Sequence, residues 1–208
     1  MPIRATERLD EQDLAPTWLE QFEAWRGEAE GSAVHEPDAM VLATADAAGR
    51  PSARTVLLKG IDGRGFTFFT NLDSRKGREL DQNPRASLLF PWYPLGRQVV
   101  VGGSVSGVAD EEADAYFEGR PYGSRIGALA SRQSEVIPSR AVLDRAKIEL
   151  EARYPPDGPA VPRPPRWSGF RLAPEMVEFW QKRPDRLHDR LRYRRVSGDE
   201  WVVERLSP

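Results

Sequence analysis

Between residues 39 and 110 the chain passes through five short apolar segments joined by tight links, and no other feature limits its fold as much. The segments are AMVLATAD, SARTVLLKG, GFTFFTN, ASLLFPWY and RQVVVGGSVSGVAD. Their β-branched and aromatic content and their short period mark them as strands. Turns at Ala48-Gly49-Arg50-Pro51 and around Asp62-Gly63 close the first two links into a meander. Gly102-Gly103 predicts a bulge or corner where the sheet bends. Five antiparallel strands so connected predict a barrel, mainly β with α additions.

Helical spacing flanks this region. Residues 1–16 are polar and interrupted by proline, which predicts a loose arm, whereas Trp18, Phe22, Trp25 and Ala29 recur at the interval of an amphipathic helix. DSRKGRELDQNP predicts a short helix capped by Ser74 and ended before Pro84. DEEADAYFEG places three acids where the dipole of a helix start favours them, with Pro121 beyond its end. SRIGALAS predicts a second helix. SRAVLDRAKIELEARY predicts a third, capped by Ser139 with Leu143, Ala146, Leu150 and Tyr154 on one face.

PPDGPAVPRPPR holds six prolines in twelve residues and predicts a stiff, extended connector. WSGFRLAP, EMVEFWQ, DRLHDRLRYRRV and EWVVERL predict the final strands, the last two joined by a Ser197-Gly198-Asp199 turn. The expected organisation is an N-terminal arm and helix over 1–35 and a single domain over 36–208.

Thirty basic residues against 32 acidic ones leave a net charge of −2, which argues against nucleic acid as a partner and makes any anion binding local. The absence of cysteine excludes disulfides, thiol nucleophiles and thiolate metal sites. His35 and His188 lack metal-ligand spacing, so no metal is expected. No secretory leader or membrane-length apolar run is present, and a soluble, cytoplasmic chain is expected.

Three basic clusters could carry chemistry. In Arg54-Thr-Val-Leu-Leu-Lys59 a strand's period of two sends the two cations to opposite faces, where such residues are usually solvated. In Ser74-Arg75-Lys76 two cations oppose the dipole of a helix start unless an anion sits there, although basic residues also occur at helix starts without function. In Arg186-Leu-His-Asp-Arg190 a strand would bring Arg186, His188 and Arg190 to one face, as a bound anion or a solvated basic stripe would allow. Gly102, Gly103 and Gly107 form neither a dinucleotide fingerprint nor a P-loop.

Taken in order, RTVLLK, FFTNLDSRKGREL, NPRASLLFPWY, RQVVVGG, YFEGRP, SRQS, VEFWQ and RLHDRLRY resemble the pyridoxamine 5'-phosphate oxidase family from about Glu36 to Pro208. The resemblance implies an FMN-binding split β-barrel, a homodimer with FMN at the subunit interface, and a C-terminal dimerisation and substrate-site region. It implies FMN contacts at Arg54, Thr55, Val56, Leu57, Leu58, Lys59, Phe69, Thr70, Arg75, Lys76, Gln98, Gln133, Ser134, Trp180 and Arg190. It implies a substrate phosphate held by Lys59, Tyr116, Arg120 and Ser124, with Arg186 and His188 over the pyridine ring as the catalytic pair. The implied reaction oxidises pyridoxamine or pyridoxine 5'-phosphate to pyridoxal 5'-phosphate, with oxygen reduced to hydrogen peroxide.

Phe69 stands where the family commonly has tyrosine, and the segment between Arg120 and Ser124 differs from familiar members. Two other readings share the fold. One is a phenazine-biosynthesis-type flavin oxidase, against which Lys59 and the PWY segment speak. The other is a non-catalytic flavin or pyridoxal phosphate carrier, which would have no use for Arg186 and His188.

Overall fold

The computed structural model describes residues 8–208. A first helix, α1 (Trp18–Glu30), is started by Thr17 and Glu20, which exchange backbone and side-chain hydrogen bonds in a capping box. The strands are β1 (Ala39–Ala45), β2 (Pro51–Leu57), β3 (Gly60–Asp62), β4 (Gly65–Asn71), β5 (Arg85–Phe90), β6 (Arg97–Gly107), β7 (Trp167–Gln181), β8 (Asp189–Ser197) and β9 (Glu200–Arg205). The remaining helices are α2 (Arg75–Gln82), α3 (Asp110–Glu118), α4 (Tyr122–Ala130) and α5 (Ala141–Arg153).

All nine strands join one antiparallel sheet in the order β2-β1-β5-β6-β7-β4-β3, with β8 added to β7 and β9 to β8. β6 pairs with β7 over most of its length, whereas the other edge of β7 changes partner: β4 lies along Trp167–Leu172 and β8 along Met176–Gln181. Between these stretches the expected bulge appears. Gly102 faces Met176 and Gly103 faces Pro174, leaving Glu175 as the extra residue. Gly103 is obligatory there, because a Cβ would lie 2.0 Å from the Ala173 carbonyl oxygen.

The core lies where the curled sheet closes over α1. Phe22, Phe66, Phe90 and Trp92 form one aromatic cluster, with ring centroids of Phe22 at 5.0, 4.9 and 5.6 Å from the other three. Trp25 meets Phe179 edge-on at 5.2 Å. The helix face expected from spacing is therefore the face that is buried.

Several expectations need correction. SARTVLLKG is not one strand: it breaks after Leu57, and Lys59 stands between β2 and β3. WSGFRLAP and EMVEFWQ are not two strands but the single β7, which passes through Pro174 at the bulge, where the missing amide hydrogen is not needed. Ser139 does not cap α5, whose first turn follows Arg140 in helical conformation, and no α5 residue is buried in the chain.

The loose arm also fails where it is described. Leu9 is buried, its amide donates to Asp189 Oδ2 at 3.1 Å, and Arg205 binds the Leu9 carbonyl, Asp10 and Glu11. The first seven residues of that arm lie outside the described residues.

Truncation of Phe22 to alanine removes the ring that joins α1 to Phe66 and Phe90 of the sheet and to Trp92 just beyond β5. The expected loss is about 3–5 kcal/mol of unfolding free energy, read from urea denaturation.

Candidate active site

A cleft of about 820 Å³ opens between the β2 edge, the end of β4, the start of α2 and the α3–α4 region. β2 closes the sheet on this side and pairs only with β1 among the described residues, so its outer backbone groups face the cleft without a strand partner. Arg54, Thr55, Val56, Leu57, Lys59, Phe69, Thr70, Arg75, Lys76, Gln133 and Ser134 line it, together with Tyr116, Arg120 and Ser124. Arg54 and Lys59 therefore share one cleft rather than opposite faces, because the strand ends between them. Leu58 points away and is buried in the core.

One corner of the cleft gathers cations. Ser74 caps α2, accepting from the Gly77 amide at 3.3 Å, and the first turn sits close against the preceding loop. A Cβ on Gly77 would lie 2.0 Å from the Leu72 carbonyl oxygen, which explains glycine at that position. Lys76 is buried, and its ammonium donates to Gln133 Oε1 at 2.9 Å, Thr70 Oγ1 at 3.0 Å and Ser74 Oγ at 3.3 Å, all neutral oxygens. Burial, and then the neighbouring Arg54, push Lys76 down to about 8, with Glu79 opposing that shift.

The counter-charge in this corner was not anticipated from the sequence. Glu79 is buried and accepts from Ser52 Oγ at 2.6 Å, Arg75 Nε at 2.8 Å, Arg54 Nη2 at 3.2 Å and the Thr44 hydroxyl. Burial would raise its pKa, but these donors outweigh it and hold the carboxyl at about 2. The available signal was an (i, i+4) spacing from Arg75, which is common on helix surfaces.

A second corner is aromatic and cationic. Phe69, Tyr116 and Trp167 stack almost parallel, with Phe69–Tyr116 and Phe69–Trp167 centroids 4.0 and 5.5 Å apart. The Arg120 guanidinium lies over Trp167 at 4.8 Å, and its Nη1 is buried without a hydrogen-bond partner. Burial lowers Arg120 from its ordinary value, and an unpaired buried donor beside Tyr116 and Ser124 suits an incoming anion. Trp167 was not among the expected site residues.

The other expected residues lie elsewhere. Gln98, Trp180 and Arg190 form one row across β6, β7 and β8. Arg190 is tied to Glu178 at 2.6 and 3.0 Å, and the His188 ring lies 4.6 Å from that of Trp180. None of these residues lines the cleft of the same chain. The alternation proposed for Arg186, His188 and Arg190 does not hold. Pro184–Arg186 is a 3₁₀ turn, Asp185 and Arg186 have φ of 56° and 61°, and β8 begins only at Asp189. Left-handed backbone at two consecutive non-glycine residues stores strain of a kind that collects at functional sites. Arg186 is exposed on this turn.

Known proteins resemble this chain over most of its length. A family model described as "Pyridoxamine 5'-phosphate oxidase" matches residues 28–154, and one described as "Pyridoxine 5'-phosphate oxidase C-terminal dimerisation region" matches 167–208. A protein of Frankia alni named pyridoxine/pyridoxamine 5'-phosphate oxidase is 58% identical over 97% of this chain and 84% of its own length. One of the same name from Streptomyces avermitilis is 56% identical over 97% and 92%. Among solved structures, PhzG from Burkholderia lata in complex with tetrahydrophenazine-1-carboxylic acid has a TM-score of 0.90 at 37% identity, covering 98% of this chain and all of that one. A pyridoxamine 5'-phosphate oxidase-related, FMN binding protein from Nostoc punctiforme, at 18% identity and a TM-score of 0.73 over 94% of this chain and all of that one, shares the split-barrel fold. Its two family regions, its relatives and its barrel together make this chain a member of the pyridoxamine 5'-phosphate oxidase family of oxidoreductases.

Proposed function

We propose that the chain is an FMN-dependent oxidase that converts pyridoxamine or pyridoxine 5'-phosphate to pyridoxal 5'-phosphate, working as a homodimer with FMN at the subunit interface. The observation that carries this reading is the division of the site residues within one chain. The cleft holds two anion-suited corners, and the row of Gln98, Trp180 and Arg190 lies outside it. Trp167 and Trp180 stand 13 positions apart on one strand. On the order of 40 Å of extended chain separates them, and strand curvature shortens that distance in space. A two-fold partner would bring its own Trp180 row to this cleft, and the matched C-terminal dimerisation region supports that assembly.

The residues present fit the cofactor. Arg54, Arg75 and Lys76 would hold the FMN phosphate, with Gln133 and Ser134 beside them. The free backbone edge of β2 suits the polar rim of a ring system. When bound, the flavin supplies the acceptor for a hydride equivalent from the substrate's 4' carbon and passes the electrons to oxygen, giving hydrogen peroxide.

The chain's own groups bind and orient. Lys59, Tyr116, Arg120 and Ser124 would clamp the substrate phosphate, and the energy of that remote contact fixes the reacting carbon. His188 Nδ1 accepts from the Arg183 backbone N–H at 3.0 Å, so the neutral ring carries its proton on Nε2 and offers a donor there. Arg186 would lie with it over the pyridine ring. A phenazine-type reading is favoured by the 37% identical PhzG structure. The relatives at 54–60% identity and the unpaired Arg120 donor favour the phosphorylated substrate.

Purified protein loaded with FMN and given pyridoxamine 5'-phosphate in air is expected to form peroxide and aldehyde. Absence of turnover with this substrate, alongside oxidation of a reduced phenazine carboxylate, would overturn the reading. Lys59→Ala and Arg186→Ala should each lower kcat/KM about 10- to 100-fold with FMN still bound, the worth of one charge-assisted contact.

Co-expression of the same two variants gives a sharper check of the shared site. Half of randomly assembled dimers are mixed, and each mixed dimer regains one intact site of two. About a quarter of wild-type activity should therefore return. No gain over the single variants would mean that each chain supplies its whole site.

FMN affinity should also fall as pH rises through about 8, because Lys76 loses its charge in that window. A titration that stays flat there would remove Lys76 from the phosphate contact.

A further inference from the structure

We propose that Glu79 is a positioning residue of the anion corner: a buried counter-charge that holds Arg75 in place before an anion arrives. The inference rests on the reading of this corner as the site of the FMN phosphate. A carboxylate buried behind the wall of a cleft suited to anions opposes the ligand's charge, so its presence needs a compensating use. Its hydrogen bonds identify that use.

Oε2 of Glu79 receives Thr44 from β1 and Ser52 and Arg54 from β2, while Oε1 receives Arg75 from its own helix. One side chain thus ties three elements at the point where the cations meet. Arg54 is held by both terminal nitrogens, Nη1 to Thr44 and to the Leu42 carbonyl, Nη2 to Ser52 and Glu79. Arg75 is gripped only through Nε. Its two terminal nitrogens have no protein partner among the described residues, and the side chain lines the cleft. Arg75 is 60% exposed, so without that grip its long side chain would be free to swing into solvent. Fixing it in advance removes an entropy cost that phosphate binding would otherwise meet.

Glu79 acts on Lys76 as well. The charged groups that act on that ammonium are Arg54 from β2 and Glu79 from α2, whereas β4 and the loop after α4 bring Thr70 and Gln133, both neutral. Removing the carboxylate charge leaves Lys76 beside Arg54 without a counter-charge, which favours its loss of a proton at lower pH.

The test is FMN affinity of the apoprotein, followed by quenching of flavin fluorescence on both sides of pH 8, for wild type, E79Q, R75A and the double variant. E79Q is expected to bind FMN about tenfold more weakly, at the lower end of the worth of a charge-assisted hydrogen bond. In the R75A background, read below the pH inflection where Lys76 keeps its charge, it should cost less than about twofold, as coupled residues do. Its pH inflection should move below that of wild type. Unchanged affinity and inflection in E79Q would overturn the proposal, and so would a full tenfold loss that persists in R75A, since Glu79 would then act on the fold and not through Arg75.

If E79Q is recovered unfolded, Glu79→Asp replaces it. That variant keeps the charge but falls a methylene short, and the expected result is weaker FMN binding in the parent, almost none of it in R75A, with the inflection retained. Unchanged affinity there overturns the proposal. Wild-type protein that takes up no FMN overturns the flavin reading itself, and the role given to Glu79 falls with it.

Discussion

The pairing of β6 with β7 is the interaction on which the rest of the molecule depends. β7 offers one edge to β6 for most of its length, and the other edge first to β4 and then to β8. At the handover Pro174 has no amide hydrogen to leave unpaired, and Glu175 is the extra residue of a bulge that turns the strand. Gly103 permits this by leaving room for the Ala173 carbonyl. The bend aims the two halves of β7 at different neighbours. Phe69 and Thr70 reach the cleft at one end, and the Trp180–Arg190 row forms at the other.

The electrostatic arrangement follows from a nearly neutral chain that concentrates charge locally. Arg54, Lys59, Arg75, Lys76 and Arg120 all line one cleft in a protein of net charge −2. Such a set repels itself unless each member is solvated, paired or awaiting an anion. Here the members differ: Lys76 rests among neutral oxygens, Arg54 and Arg75 lean on Glu79, and Arg120 lies on Trp167 with a buried nitrogen unpaired. The arrangement suits ligands that bring negative charge into the cleft.

Much of this was legible in the chain. Apolar periodicity identified α1 and its buried face, Ser74 marked the start of α2, and Gly102-Gly103 marked the bulge. Motif order located the cleft residues, which periodicity could not have gathered. The misreadings have physical causes. Strand period assumes an unbroken strand, and the break after Leu57 put Lys59 in the same cleft as Arg54. The same assumption straightened Arg186 and His188, where two left-handed residues make a turn. Two strands were expected where β7 is one, because the chain continues through Pro174 at a bulge that tolerates proline. Glu79 and Trp167 stayed hidden because a helical glutamate and a tryptophan have ordinary structural uses, and only tertiary neighbours distinguish them.

The unpartnered edge of β2 has a consequence for the fate of an isolated subunit. An open strand edge is a template on which another chain can extend the sheet, and proteins usually cover or blunt it. Pro51 at the head of β2 and Arg54 within it provide some blunting, since proline offers no donor and charge resists stacking. In the proposed holo dimer, the flavin and the partner subunit would provide the rest. Cofactor loading and assembly would then guard against aggregation as well as enable catalysis, and a subunit short of flavin would be exposed along the strand that completes its active site.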